Sequence, residues 1–500
     1  MAAIVEGHDH LPTVAPMLDP HFVARLRTVL PPACLLTDAE DTVTYESDGL
    51  FHLREKPLAV ALPEDEAQVA AVLRACRDFK VPIVPRGAGT GLAGGALPHR
   101  EGLLLSLTKM KKLLEVDVAA RQARVEPGHT NLAISQKVAA HGLFYAPDPS
   151  SQLASSIGGN VAENSGGVHC LKYGLTVHNV IGLRVVTTEG DTLELGGGSL
   201  DQPGFDVVSM LNGSEGLLGI VTEVRIRLLP TPPAIRVLLA FFPTTEDAGN
   251  AVGAIIAAGI IPAGLELMDT ASMAAAESFM PLDLRLDAGA GLLCEIDGMP
   301  EEVEELTLSV SALMEQCNGF DIRRADDEAQ RAKLWWARKG AYPALVKVAN
   351  DVYICDSTVP RRSLGRVMAK IDVLAKTHRI PVAQMFHAGD GNIHPVLYYD
   401  STKPGETERA EALATDVLKL VLAEGGTVSG EHGVGSEKLK GMCMQFEDIE
   451  LEAFQGVRRA FDPHGILNPD KAIPTLHRCA EFGSMRIRFG QDPFAHLPRF

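Results

Sequence analysis

At 500 residues the chain exceeds what one compact core holds, so two or three domains are expected. A formal charge of −18 argues against nucleic-acid binding, because phosphates would repel it, while 46% apolar and 22% charged residues describe an ordinary globular protein. The start, MAAIVEGHDH, shows no secretory pattern and every long apolar run is broken by Gly or Pro, so the expectation is a cytoplasmic protein, at most peripheral at the inner face of the cell membrane.

A lead of about fifty residues precedes regular structure. PLAVALP then predicts a strand, EDEAQVAAVLRACRDFK a helix, and VPIVP a second strand that runs into PRGAGTGLAGG. GLLLSL, KLLEVDV and ARVEPG are short strands, and NLAISQKVAAHG is a helix stopped by Gly142. A polar, glycine-rich stretch spans Pro147 to Gly167. VIGLRVVTTEGDTLELGGG reads as a hairpin over a Glu-Gly turn, followed by EGLLGIVTEVRIRLLP. PTPP, Pro230–Pro233, is the clearest boundary; beyond it strands alternate with long helices to about Gly425. The eight cysteines show no C-x-x-C spacing and are expected to be reduced, mostly buried thiols.

Gly89, Gly91 and Gly94 spell G-x-G-x-x-G after a strand. A dinucleotide fold needs a helix next, to hold the pyrophosphate on its N-terminus. GALPHREG, with Pro98 and Gly102, leads directly into the strand LLLSL, leaving no room for one. What remains is five glycines in nine residues beside Arg86, a backbone bare enough to approach a phosphate. The second stretch, with Gly158-Gly159 and Gly166-Gly167 around Asn160 and Asn164, is too long and polar for a simple loop and suits backbone wrapped round an extended ligand.

PRGAGTGLAGGA, DPSSQLASSIGGNVAENSGG and GSEGLLGIVTEV together resemble the FAD-binding domain of flavoproteins of the vanillyl-alcohol-oxidase type. FHAGDGNIHP, SGEHGVG and FDPHGILNP resemble its 2-hydroxy-acid dehydrogenase branch, and the tail IPTLHRCAEFGSM is similar to the FAD-linked subunits of bacterial glycolate dehydrogenases, or glycolate oxidases. The resemblance implies an α+β fold: after the lead 1–50, a two-subdomain PCMH-type FAD-binding domain over 51–233 and an α+β cap domain with an antiparallel sheet over 234–425. A segment 426–475 would return to flavin and metal, before a tail 476–500. It assigns Arg86, Gly87, Ala88, Gly89, Thr90, Gly91 and Leu92 to the FAD pyrophosphate. Pro147, Asp148, Ser151, Gly158, Gly159, Asn160 and Asn164 would lie along the flavin, Glu215, Gly219, Ile220 and Val221 near the adenine or its ribose, and Asn468 at the isoalloxazine. No His stands between Arg86 and Gly95, so the FAD is expected to be non-covalent, with His169 beside Cys170 as the alternative anchor.

In FHAGDGNIHP, placing Asp390-Gly391 at a two-residue tip sets His387 opposite His394, with Cβ atoms about 5 Å apart, close enough to share a metal ion. Glu431 would add a carboxylate, and two His with one carboxylate leave an open position for substrate. The resemblance assigns these three residues to a divalent metal, Zn or Mn, and His432 to proton abstraction. Arg338 stands where relatives bind the substrate carboxylate, with Tyr342 one helical turn on. Some relatives add a Lys in the strand matching VYICDSTVP; none occurs here, which favours glycolate or D-lactate over a dicarboxylate.

The chain has no iron–sulfur spacing, haem motif or nicotinamide fingerprint, so electrons must pass to a partner or to a soluble or quinone-linked acceptor. The resemblance implies FAD-binding and iron–sulfur partner subunits. The alternatives are a stand-alone D-lactate or D-2-hydroxyglutarate dehydrogenase and a His/His/Glu metal-dependent hydrolase.

Overall fold

The structure is a computed structural model that describes residues 18–50, 53–199, 203–475 and 479. Three sheets carry the fold. The first has four strands in the order Leu35–Leu36, Ala59–Ala61, Leu103–Ser106, Ile83–Arg86, the last three parallel. Helix Glu66–Phe79 packs on it through Val69, Val72, Leu73 and Cys76. Asp65 caps its start by accepting from Gln68 N, and Lys80 ends it in the left-handed region at φ 54°. No helix separates the parallel strands Ile83–Arg86 and Leu103–Ser106, so the dinucleotide fold is excluded here. The second sheet has five antiparallel strands in the order Leu113–Asp117, Gln122–Val125, Ile220–Arg227, Val180–Val186, Thr192–Gly196.

Beyond Pro233 lies the third sheet, eight strands paired antiparallel. Its strands Ala234–Phe242 and Ala290–Gly298 are largely apolar and buried because both faces are covered. Along Ala234–Phe242, Leu238, Ala240 and Phe242 meet the helices Thr245–Ala257, Pro300–Gln316, Leu364–His378 and Glu406–Ala423. Val237, Leu239 and Phe241 point the other way, toward helices Thr270–Phe279 and Glu328–Val348. The chain then returns to the first sheet: Ile83 N donates to Ile466 O and Asn468 N to Ile83 O, so Leu467 runs parallel to the edge strand, fully buried.

Inside Pro147–Gly167 a helix, Ile157–Glu163, forms with Ser156 as N-cap. One expectation fails. The thiols are not all reduced: Cys443 and Cys479, 36 residues apart, form a disulfide where Cys479 packs against Val428, Met442 and Leu451. The other six cysteines are free. Among the described residues no helix is long and apolar enough to cross a membrane.

Residues 169–173 grip the third sheet. His169 bridges Asp148 (2.8 Å) and Glu295 (2.9 Å), Trp335 Nε1 donates to Glu295 (2.6 Å), and Lys172 and Tyr173 both hold Asp297. Burial opposes a charge on His169, but Asp148 and Glu295 outweigh it and hold its pKa well above the usual 6.5. A raised folded-state pKa adds stability that is complete below the unfolded value and disappears as pH climbs through the folded one. The loss in melting temperature caused by His169→Gln is therefore expected to be largest near pH 6 and to shrink toward alkaline pH. A deficit constant with pH in thermal unfolding scans would show that His169 carries no proton in this clasp.

Candidate active site

One cavity of about 770 Å³ runs from the glycine loop, along Asp148–Ser165, to the third sheet. Of the residues expected there, all line it except Pro147, Asn164 and Asn468. Pro147 is buried and its carbonyl accepts from Asn131. Asn164 ends helix Ile157–Glu163 at φ 52° and accepts from Val177 N. Asn468 donates to the carbonyls of Gly95 and Glu215, so its amide ties two loops together. Glu215 lines the cavity, but its carboxylate is taken by Val434 N and Gly435 N, each at 2.7 Å, which anchors the C-terminal segment. His169, both ring nitrogens engaged, lies off the cavity wall.

The cavity fits an extended dinucleotide. Gly89 has φ 72°, and a Cβ on Gly87 would stand 2.2 Å from Ser156 Oγ, so the two glycine-rich segments meet closely, with the Ser156 hydroxyl against the Gly87 backbone. Arg86 enters this cradle while donating to Ser47 O at 2.7 Å.

The chemistry sits where an apolar row on the third sheet turns polar. Strands Gly264–Asp269, Val382–His387 and Asn392–Tyr399 are neighbours. Met268, Met385 and Val396 line the face under helix Glu328–Val348; two residues along the same face stand Glu266, His387 and His394. The hairpin register differs from expectation. His387 pairs with Asn392 and His394 with Met385, because the tip is four residues, Ala388–Gly391. Contact across the fold sets it: Val359 N donates to Gly391 O, and a Cβ on Gly391, φ 88°, would meet Val359 O at 2.1 Å. The two imidazoles are diagonal neighbours on one face and still meet edge-on, centroids 5.2 Å apart.

Glu431 completes the set: its Oε1 lies 3.3 Å from His387 Nε2 and 3.5 Å from His394 Nε2. His394 Nε2 is buried without a hydrogen bond in the chain, an orphan that a cation would satisfy. Three potential ligand atoms within 4.8 Å of one another suit a divalent ion. Asp356, His394 and His432 lie as close together, but Asp356 already accepts from Ser429 Oγ, the amides of Gly430, Glu431 and His432, and Lys438 Nζ at 2.8 Å. That cation makes Asp356 a poor ligand and a good anchor for the loop. Burial works to raise its pKa, but Lys438 and the two histidines hold it well below the carboxylate range. His432 stacks on His394, rings 10° from parallel; burial lowers its pKa to about 4, so at neutral pH it is an uncharged base.

Arg338 and Tyr342 reach the cavity from the helix above. Arg338 is 9% exposed and its Nε lies 2.8 Å from Glu266 Oε2. Val352–Pro360 supplies no lysine, as read, but Lys339 lines the cavity over the Trp335 ring, so Arg338 is not its sole cation. Sequence reasoning passed over Lys339, Glu266, Asp356 and Lys438. A signal for Glu266 existed: GLELMD places a carboxylate in an otherwise apolar strand, where a charge must be paired.

Residues 57–196 match the FAD binding domain family and residues 231–472 the family of FAD linked oxidases, C-terminal domain. Glycolate oxidase subunit GlcD of Escherichia coli (strain K12) is 52% identical over 475 residues, 95% of each chain. The chain belongs to the FAD-linked oxidases. Another relative, D-lactate dehydrogenase of Anaerostipes hadrus, is 30% identical over 90% of this chain and 97% of its own. p-Cresol methylhydroxylase with substrate bound shares the fold, with TM-score 0.77 and 18% identity over 91% of this chain and 97% of that one. This FAD-linked oxidase is an oxidoreductase, and the hydrolase alternative falls.

Proposed function

We propose that this FAD-linked oxidase dehydrogenates a small 2-hydroxy acid, glycolate or D-lactate, to the 2-oxo acid. One observation carries the reading: a guanidinium, a three-ligand metal set and an uncharged imidazole converge on the cavity that the glycine cradle opens into. Arg338 binds the substrate carboxylate through its Nη groups, with Tyr342 beside it. His387, His394 and Glu431 would hold a divalent ion, Zn or Mn, near the hydroxyl. His432 Nδ1 faces Asp356 at 4.0 Å, leaving Nε2 to take the hydroxyl proton. When bound, FAD supplies the hydride acceptor and the divalent ion lowers the pKa of an alcohol oxygen. Electrons then pass to partner subunits, a reading supported by the relative whose name makes it a glycolate oxidase subunit. Lys339 favours a second reading, the dicarboxylate 2-hydroxyglutarate, but it is exposed at the cavity mouth.

Anaerobic titration of the purified holoprotein tests this. Glycolate or D-lactate is expected to bleach the flavin more readily than L-lactate or D-2-hydroxyglutarate; a chelator should abolish bleaching and zinc or manganese restore it. If none of the four acids bleaches the flavin, the proposal is wrong.

A further inference from the structure

Glu266 is fully buried and sits directly across the sheet from His387. Its Oε1 lies 2.7 Å from His387 Nδ1 and its Oε2 lies 2.8 Å from Arg338 Nε. Both oxygens therefore face groups that the proposed reaction uses, one on a strand and one on the covering helix. We propose that Glu266 is a positioning residue that sets the metal ligand His387 and the carboxylate-binding Arg338 in one frame. The inference rests on the reading of the site given above.

A carboxylate accepting from Nδ1–H turns the lone pair of a neutral His387 onto Nε2, the nitrogen that faces Glu431 at 3.3 Å. On the other side, Glu266 pairs by charge with Arg338 Nε at 2.8 Å, without hydrogen-bond alignment, and leaves both Nη groups for an incoming anion. The distance between ion and guanidinium, which must match the hydroxyl-to-carboxylate span of a 2-hydroxy acid, is thus set through one rigid strand residue. Glu266 does not line the cavity and takes no part in proton or hydride transfer.

The test uses the flavin-loaded protein carrying Glu266→Gln, with flavin content as the control for folding. The Gln carbonyl can still accept from His387, but its NH2 group cannot pair with Arg338. Affinity for zinc, measured by competition with a chelator, is expected to fall about 10–100-fold. KM for glycolate should rise about tenfold or more, while kcat at saturating zinc and glycolate stays within a few-fold of the parent. Should the Gln variant fail to fold, Glu266→Asp, which keeps the charge but shortens the reach, is read the same way. Unchanged zinc affinity and KM would overturn the role, as would a kcat loss that saturation does not repair. A parent protein that binds no zinc and ignores chelator would instead remove the reading of the site itself, and this inference with it.

Discussion

His432→Ala is expected to keep its FAD yet to lose substrate-driven bleaching by about 10²–10⁴-fold, the range of a removed general base. The two halves of this expectation have separate causes. The loop bearing His432 is held through its main chain, since Asp356 accepts from the amides of Gly430, Glu431 and His432, and Val434 N and Gly435 N donate to Glu215. Deleting the imidazole leaves those bonds in place, so the cavity wall and its cofactor should persist. The proton, by contrast, loses its acceptor: His394 and His387 are turned toward Glu431, and Asp356 is surrounded by donors. Stopped-flow reduction under anaerobic conditions reads the rate directly. Parent-like bleaching in His432→Ala would remove this residue from the chemistry.

Asp356→Asn is expected to cost about 3–5 kcal/mol of stability, the penalty for breaking one side of a buried ion pair. Lys438 is 9% exposed at its side chain and donates to Asp356 at 2.8 Å, so the variant buries an ammonium without its counter-charge. The same carboxylate gathers three consecutive amides, which an Asn can serve through one oxygen only. Pairing the change with Lys438→Met should recover part of the loss, because the two sites share one interaction. Denaturant unfolding of the single and double variants measures this. If the double variant is as unstable as the sum of the singles, the ion pair is not what holds the loop.

The parts of the site built from neighbouring residues were legible before any fold was known. Gly87, Gly89 and Gly91 in succession offer a backbone bare enough for a phosphate, and a missing helix after Gly94 could be read from Pro98 and Gly102. His387, His394 and Glu431 were legible as candidate metal ligands through motif resemblance, and the structure brings the three together. The hairpin register was misread because Val359, some thirty residues upstream, pins the tip at Gly391.

By itself the sequence determined the chemistry available: which loops could bare their backbone, which residues could ligate or take a proton, and that no helix followed the glycine loop. Only the tertiary structure decided how those groups are held. Glu266 meets His387 across 121 residues, Asp356 meets His432 across 76, and Leu467 returns to Ile83 at the edge of the first sheet. Buried charges find partners by packing rather than by spacing, because a carboxylate removed from water takes whichever cation or amide the sheet and helices bring within reach.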